Sequence, residues 1–181
     1  MASFDDFAAA HPDAVADVPD LPHVVVWTDG SSRGNPGPGG YGAVLLFTDA
    51  TGALHRKELS AGYTRTTNNR MEILAAIVAL ESLLKPCSVE LHSDSQYLVN
   101  AMGRGWIWGW AKKGWKGANK QPVKNPDLWK RMLRAIKPHR VEWVWVKGHV
   151  GTELNERCDE LATRAADGLA GPLLVDAGFT E

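Results

Sequence analysis

Four acidic residues stand where a carboxylate has a weak local reason to be. Asp29 follows an apolar, Val-rich run in Thr28-Asp29-Gly30, and Asp94 follows a second such run in Ser93-Asp94-Ser95. Glu72 lies in the first turns of a helical pattern, just past the polar stretch TTNNR. Asp159 lies on the last helical pattern, within NERCDELA. An isolated carboxylate is expensive to bury, so acids at the ends of such elements suggest a shared cation. Carboxylate oxygens are hard ligands that suit Mg²⁺ or Mn²⁺, and Mg²⁺ keeps waters and takes substrate phosphate oxygens besides. Two such ions about 3.5–4 Å apart can activate a water and stabilise the leaving oxygen of a phosphodiester. Each acid also has a plainer reading. The helix macrodipole favours acids near helix starts, as at Glu72 and Asp159, and Asp29 and Asp94 could simply begin turns. Spacing alone does not establish that the four converge.

The elements that must position them are legible from periodicity. His23–Thr28 reads as a buried strand, and Tyr41–Thr48 and Leu54–Tyr63 as two more joined by a turn at Asp49–Gly52. Ser31–Gly40 (SSRGNPGPGG) reads as a turn segment, because Gly and Pro so dense interrupt strands and helices. Thr67–Leu84 is the clearest helix, with Thr67 or Asn68 as its cap. Ser88–Ser93 and Val141–Val146 read as strands. Asp94–Met102, Trp106–Lys113, Asn125–Ile136 and Glu153–Ala166 read as helices. Three meandering strands followed by alternating helix and strand predict an α/β domain with a mixed five-stranded sheet, helices on both faces. In an open sheet of this kind ligands gather beyond the carboxyl ends of the strands, which is where Asp29 and Asp94 fall.

Composition bounds the rest. A chain of 181 residues, 44% hydrophobic and 23% charged, suits one soluble domain with ragged ends. Residues 1–22 are rich in Ala, Asp and Pro and carry five acids without a Lys or Arg. They read as a disordered extension, with neither the basic start and apolar stretch of a secretory signal nor the arginines of a transit peptide. The domain is expected over 23–168, followed by a tail over 169–181. No apolar run approaches the roughly 20 residues that span a bilayer. Cys87 and Cys158 are the only thiols and form no CxxC pair, so a reduced, cytoplasmic setting is expected. The net charge of −1 conceals an asymmetry, because Arg104–Lys124 holds six basic residues and no acid. A concentrated positive block of this kind suits a polyanion partner.

The segments TDGSSRGNPGPGGYG (28–42), SAGYTRTTNNRMEI (60–73), SDSQYL (93–98), WVKGHVG (145–151) and NERCDELA (155–162) resemble, in order, the signature blocks of bacterial type I ribonuclease H. The match covers about His23 to Ala166. The resemblance implies an RNase H-like fold and a metal-dependent endonuclease that cuts the RNA strand of RNA–DNA hybrids, removing RNA from hybrids and replication primers. It implies 5′-phosphate and 3′-hydroxyl ends, Mg²⁺ with Mn²⁺ as the alternative, two ions with substrate bound, and a monomer. By position it assigns catalysis and metal binding to Asp29, Glu72, Asp94 and Asp159, and a proton shuttle to His149. The two glycines flanking His149 in its loop, Gly148 and Gly151, make that segment mobile by composition. Glu156 lies one turn before Asp159; a role beside the metals and a role as a helix-surface charge both stay open.

Substrate choice requires groups that feel a 2′-hydroxyl on one strand and its absence on the other. The resemblance assigns Asn68 and Gln96 to the shallow groove, and Asn35 and Thr67 to the DNA side and its phosphates; capping and turn roles remain compatible for the last two. Trp106–Lys124 resembles the family's basic protrusion. Within it Lys112, Lys113, Lys116 and Lys120 supply sequence-independent affinity for phosphates. Trp106 is expected to be mostly core, with Trp110 and Trp115 shared between core and substrate, and Trp108 is an additional aromatic. Trp27, Trp129, Trp143 and Trp145 read as structural. The rivals are a hybrid-binding module without activity, which would have lost one of the acids, and a metal nuclease such as a resolvase or integrase. The latter would lack the protrusion, the GNPGPGGYG turn and the KGH loop.

Overall fold

The computed structural model describes residues 21–148 and 152–180; His149 and the extension over residues 1–20 lie outside them. Five strands and five helices are found among the described residues. In chain order they are β1 (His23–Ser32), β2 (Gly37–Thr48), β3 (Leu54–Thr66), α1 (Asn68–Glu81), β4 (Ser88–Ser93), α2 (Gln96–Gly103), α3 (Trp106–Lys112), α4 (Pro126–Ile136), β5 (Arg140–Trp145) and α5 (Glu153–Ala166). The sheet order is β3-β2-β1-β4-β5. β1, β2 and β3 pair antiparallel, whereas β4 runs parallel to β1 and β5 parallel to β4. This is the mixed sheet the periodicity predicts. No helix among the described residues is long and apolar enough to cross a membrane.

The two sheet faces are covered differently. Helix α1 is buried nearly all round, from Arg70 to Ile77 and again at Ala79 and Leu80, as a helix between a sheet and another helix must be. It packs on β1 and β2 from one side and against α4 from the other. Helix α5 lies on the opposite face, across β1, β2 and β3. Its approach is so close that a Cβ on Gly42 would sit 2.3 Å from the Cys158 carbonyl oxygen, and one on Gly62 would sit 2.0 Å from that of Ala165.

That packing corrects the reading of Ser31–Gly40 as a turn. β1 continues to Ser32 and β2 begins at Gly37, leaving only Arg33–Pro36 between them. Gly34, with φ +101°, does sit in that short turn, whereas Gly39 and Gly40 lie within β2. A Cβ on Gly40 would sit 2.6 Å from the Ala162 carbonyl oxygen, so that α5 lies directly on the strand's backbone there. A second correction concerns Trp106, expected in the core but 40% exposed. It leans on Trp110, which packs on Tyr97 and on the fully buried Trp129. Of the three tryptophans on α3, Trp108 and Trp110 therefore pack against the core while Trp106 is left at the surface. Beyond α5, the tail lies along the domain: Leu174 pairs with β3, its N–H donating to the Gly62 carbonyl at 2.8 Å and its carbonyl accepting from Thr64 N–H at 2.9 Å.

Candidate active site

The parallel pairing of β1 and β4 brings the first two acids together. Thr28 is in register with Ser93, so the residue after each, Asp29 and Asp94, lies side by side. β4 ends at Ser93 while β1 runs on for four more residues, to Ser32, and the vacated edge opens a cleft. Glu72 reaches it from α1, because the Gly30 backbone lies against that helix. A Cβ on Gly30 would fall 2.3 Å from the Glu72 backbone nitrogen. The Thr67 hydroxyl, accepting from Arg70 N–H at 3.3 Å, sets where α1 starts. On the other side Ser95 caps α2 by accepting from Leu98 N–H, and Gly148 lies against the Asp94 carboxylate.

One carboxylate oxygen from each of Asp29, Glu72 and Asp94 lies within 4.8 Å of the others. Asp159, on α5, lines the same cleft of about 470 Å³ together with Ser31, Asn68, Gln96 and Tyr97. Burial, then the neighbouring charges of Asp94 and Asp159, push the Asp29 carboxyl up to about 7, although the Gly30 N–H donates to its Oδ1 at 2.8 Å. Burial and the charges of Asp29 and Asp94 hold Glu72 well above the usual carboxylate range. Glu72 Oε1 accepts a long 3.5 Å bond from Asn68, and its Oε2 is buried without a partner. An unsatisfied buried carboxylate oxygen facing two more carboxylates is a costly arrangement for a protein alone. A divalent cation among them would satisfy that oxygen and relieve the repulsion, so the donor set fits the ion that hard oxygen ligands select.

The surroundings agree with a nucleic-acid enzyme in sequence and in shape. The family model described as RNase H matches residues 22–167. A ribonuclease H of Lachnoclostridium phytofermentans is 60% identical over 80% of this chain and 92% of its own length. That of Edwardsiella ictaluri is 56% identical over 88% of this chain and 98% of its own. The chain belongs to the bacterial ribonuclease H family, type I. Among solved structures it is similar to LC9-RNase H1, described as a type 1 RNase H with the type 2 active-site motif, at a TM-score of 0.76 and 34% identity, covering 90% of this chain and 81% of that one. It is also similar to LC11-RNase H1 in complex with an RNA/DNA hybrid, at a TM-score of 0.55 and 29% identity, covering 82% and 99%.

Within this ribonuclease H fold the residues assigned from sequence fall into three places. Asn68 and Gln96 line the acidic cleft itself. Asn35 and Thr67 line an adjoining cleft of about 560 Å³ with Asn69, Lys124 and Asn125, and Asn35 Oδ1 accepts from the Asn68 N–H at 3.2 Å. Lys112, Lys113, Lys116 and Lys120 are exposed on α3 and its loop, and among the described residues none of them pairs with a carboxylate. Trp110 and Trp115 are half-buried there, and the Lys130 ammonium sits 5.6 Å from the Trp115 ring. Glu156 is exposed and does not line the cleft.

Two features escaped the sequence reading. Trp145, read as structural packing, is 46% exposed, and its indole N–H donates to the Asp94 carbonyl at 3.1 Å. A strand-terminal Trp two residues from a Lys-Gly pair was the only available signal. The other is Arg70, a buried cation held between Asp127 and Asp176. Those partners lie 57 and 106 positions away, beyond the reach of any local pattern.

Proposed function

We propose that this ribonuclease H hydrolyses the RNA strand of RNA–DNA hybrids at the cleft of Asp29, Glu72, Asp94 and Asp159. The observation that carries the reading is the buried, unpartnered Glu72 oxygen within 4.8 Å of two further carboxylates, in a chain whose relatives carry the ribonuclease H name. Asp29, Glu72 and Asp94 hold the ions and Asp159 closes the edge. Mg²⁺, or Mn²⁺ in its place, supplies the activation of an attacking water and the stabilisation of the leaving oxygen when bound as a pair. The protein's own groups orient the duplex. Asn68 and Gln96 donate and accept beside the acids, as reading a 2′-hydroxyl requires. Asn35 and Thr67 take the phosphates of the DNA strand. The protrusion lysines add affinity along the backbone, and Trp106, Trp110 and Trp115 give it an apolar bed. His149 moves a proton as product leaves. This chemistry leaves 5′-phosphate and 3′-hydroxyl ends and suits removal of RNA from primers, by a monomer in the cytoplasm.

The test is cleavage of a labelled hybrid with and without Mg²⁺, for wild type, Asp29→Asn and Asp94→Asn. The amides keep the size but lose the charge that holds the ions, so turnover should vanish while hybrid binding persists. Near-normal turnover by either variant sinks the metal-site assignment. Product ends are read by whether ligase or kinase accepts them directly.

A further inference from the structure

The cleft beside the acids is walled by three distant parts of the chain. The start of α1 contributes Thr67 and Asn69, the approach to α4 contributes Lys124 and Asn125, and the C-terminal tail contributes Gly178 and Phe179. One side chain joins all three. Arg70 Nε and Nη2 donate to the two Asp176 oxygens at 2.7 and 2.8 Å. Nη1 and Nη2 donate to Asp127 at 2.9 and 2.7 Å, and Nη1 also reaches Asn125 Oδ1 at 3.4 Å. Asp176 accepts in addition from the Thr66 hydroxyl at 2.7 Å. The Arg70 side chain is only 3% exposed and that of Asp176 only 9%. A guanidinium has five N–H donors in a fixed fork, and here all three of its nitrogens are engaged by protein. Arg70 is thus committed to the protein, although it lines the cleft that the reading above gives to phosphates.

We propose that Asp176 is a positioning residue for nucleic-acid binding. Through Arg70 it holds the tail and the starts of α1 and α4 at the spacing at which Thr67, Asn69 and Asn125 meet the phosphates of one strand. The inference rests on the hybrid-binding reading above. Charge argues that the clamp has a geometric role. Two carboxylates on one guanidinium leave a net negative charge beside a polyanion site, which on electrostatic grounds alone weakens binding. The clamp also has no slack. A Cβ on Gly178 would lie 2.0 Å from Asp127 Oδ2 and 2.9 Å from Arg70 Nη2, so the tail backbone is seated directly on the ion pairs.

Two variants separate charge from geometry. Asp176→Ala removes a negative charge and so, by charge alone, should tighten binding. Gly178→Val keeps every charge and wedges the clamp apart. KM and kcat on the hybrid are measured at fixed salt, well below each variant's melting temperature, and hybrid affinity is measured by fluorescence anisotropy without metal. Both variants should raise KM and Kd by about tenfold, a usual size for coupling between a remote contact and a site, with kcat close to wild type. Loss of fold stability alone moves the melting temperature but not KM, so variants that melt lower yet bind as wild type overturn the proposal. So does tighter binding by Asp176→Ala. Should that variant fail to fold, Asp176→Asn and Gly178→Val give the same reading. A wild type that leaves the hybrid uncut refutes the proposed function; a wild type that cuts it beside unaltered variants refutes only the positioning role.

Discussion

Replacing Asp29 by Asn should make the metal-free protein more stable above neutral pH while ending its activity. The Asp29 carboxyl rises from an ordinary 3.8 to about 7 on folding. Between those values the unfolded chain has released the proton and the folded chain still holds it. Stability therefore falls as pH rises, by about 1.4 kcal/mol per pH unit, and is lost in full once pH passes about 7. From pH 5 to pH 8 roughly two units of that slope remain, or about 3 kcal/mol. Asn has no proton to release and keeps an oxygen for the Gly30 N–H. The melting temperature of Asp29→Asn should thus gain on that of wild type between pH 5 and pH 8 by about 6–12 °C, at 2–4 °C per kcal/mol for a domain of this size. Glu72 is shifted in the same direction, so an ion that neutralises the cluster should raise the wild-type melting temperature at pH 8 and leave the variant nearly unmoved. Thermal melts in EDTA at both pH values, then with Mg²⁺, provide the measurement. A gap that stays constant with pH would show that the acids are not jointly strained in the empty site.

Other outcomes follow from the same geometry. Replacing Lys112, Lys113, Lys116 and Lys120 with Ala should raise KM with little change in kcat, because these exposed lysines bind ground and transition state alike. The slope of log K against log salt should fall by about two to three; an unchanged slope would mean that the protrusion meets no phosphates. His149→Ala should slow turnover without abolishing it, and a loss as complete as that of Asp29→Asn contradicts a shuttle. Gly42→Ala should cost about 1–3 kcal/mol, because its methyl would press on the α5 backbone at Cys158. It should also lower kcat by shifting Asp159 on the same helix. A chemical denaturation midpoint equal to that of wild type would refute so close a seating.

Much of the site was legible before any coordinates because it is written in local contexts. Asp29 and Asp94 each come directly after a stretch legible as a strand, the place where ligands gather in an open sheet, although the register that sets them side by side is a matter of packing. Thr67 announces the start of α1, which fixes where Glu72 falls one turn later. The ordered signature blocks supplied what spacing could not, the expectation that the four acids act together, and all four do line one cleft. The glycine-rich stretch misled because glycine has two meanings. In a chain read alone it marks a turn, as it does at Gly34, whereas at Gly40 it marks a strand on which a helix lies with no room for a side chain.

Residue types and periods determined the elements, their order and the chemistry that four acids could support. Only the tertiary structure decided how costly those acids are to one another, that Glu72 keeps an oxygen with no partner, and that Trp106 faces out while Trp129 is buried. It also decided that the tail is locked to Arg70. Burial and Coulomb interaction depend on distances between residues remote in sequence, and a salt bridge spanning 106 positions leaves no periodicity to read. Local pattern reports what a segment prefers to be; only packing reports what it is forced to stand beside.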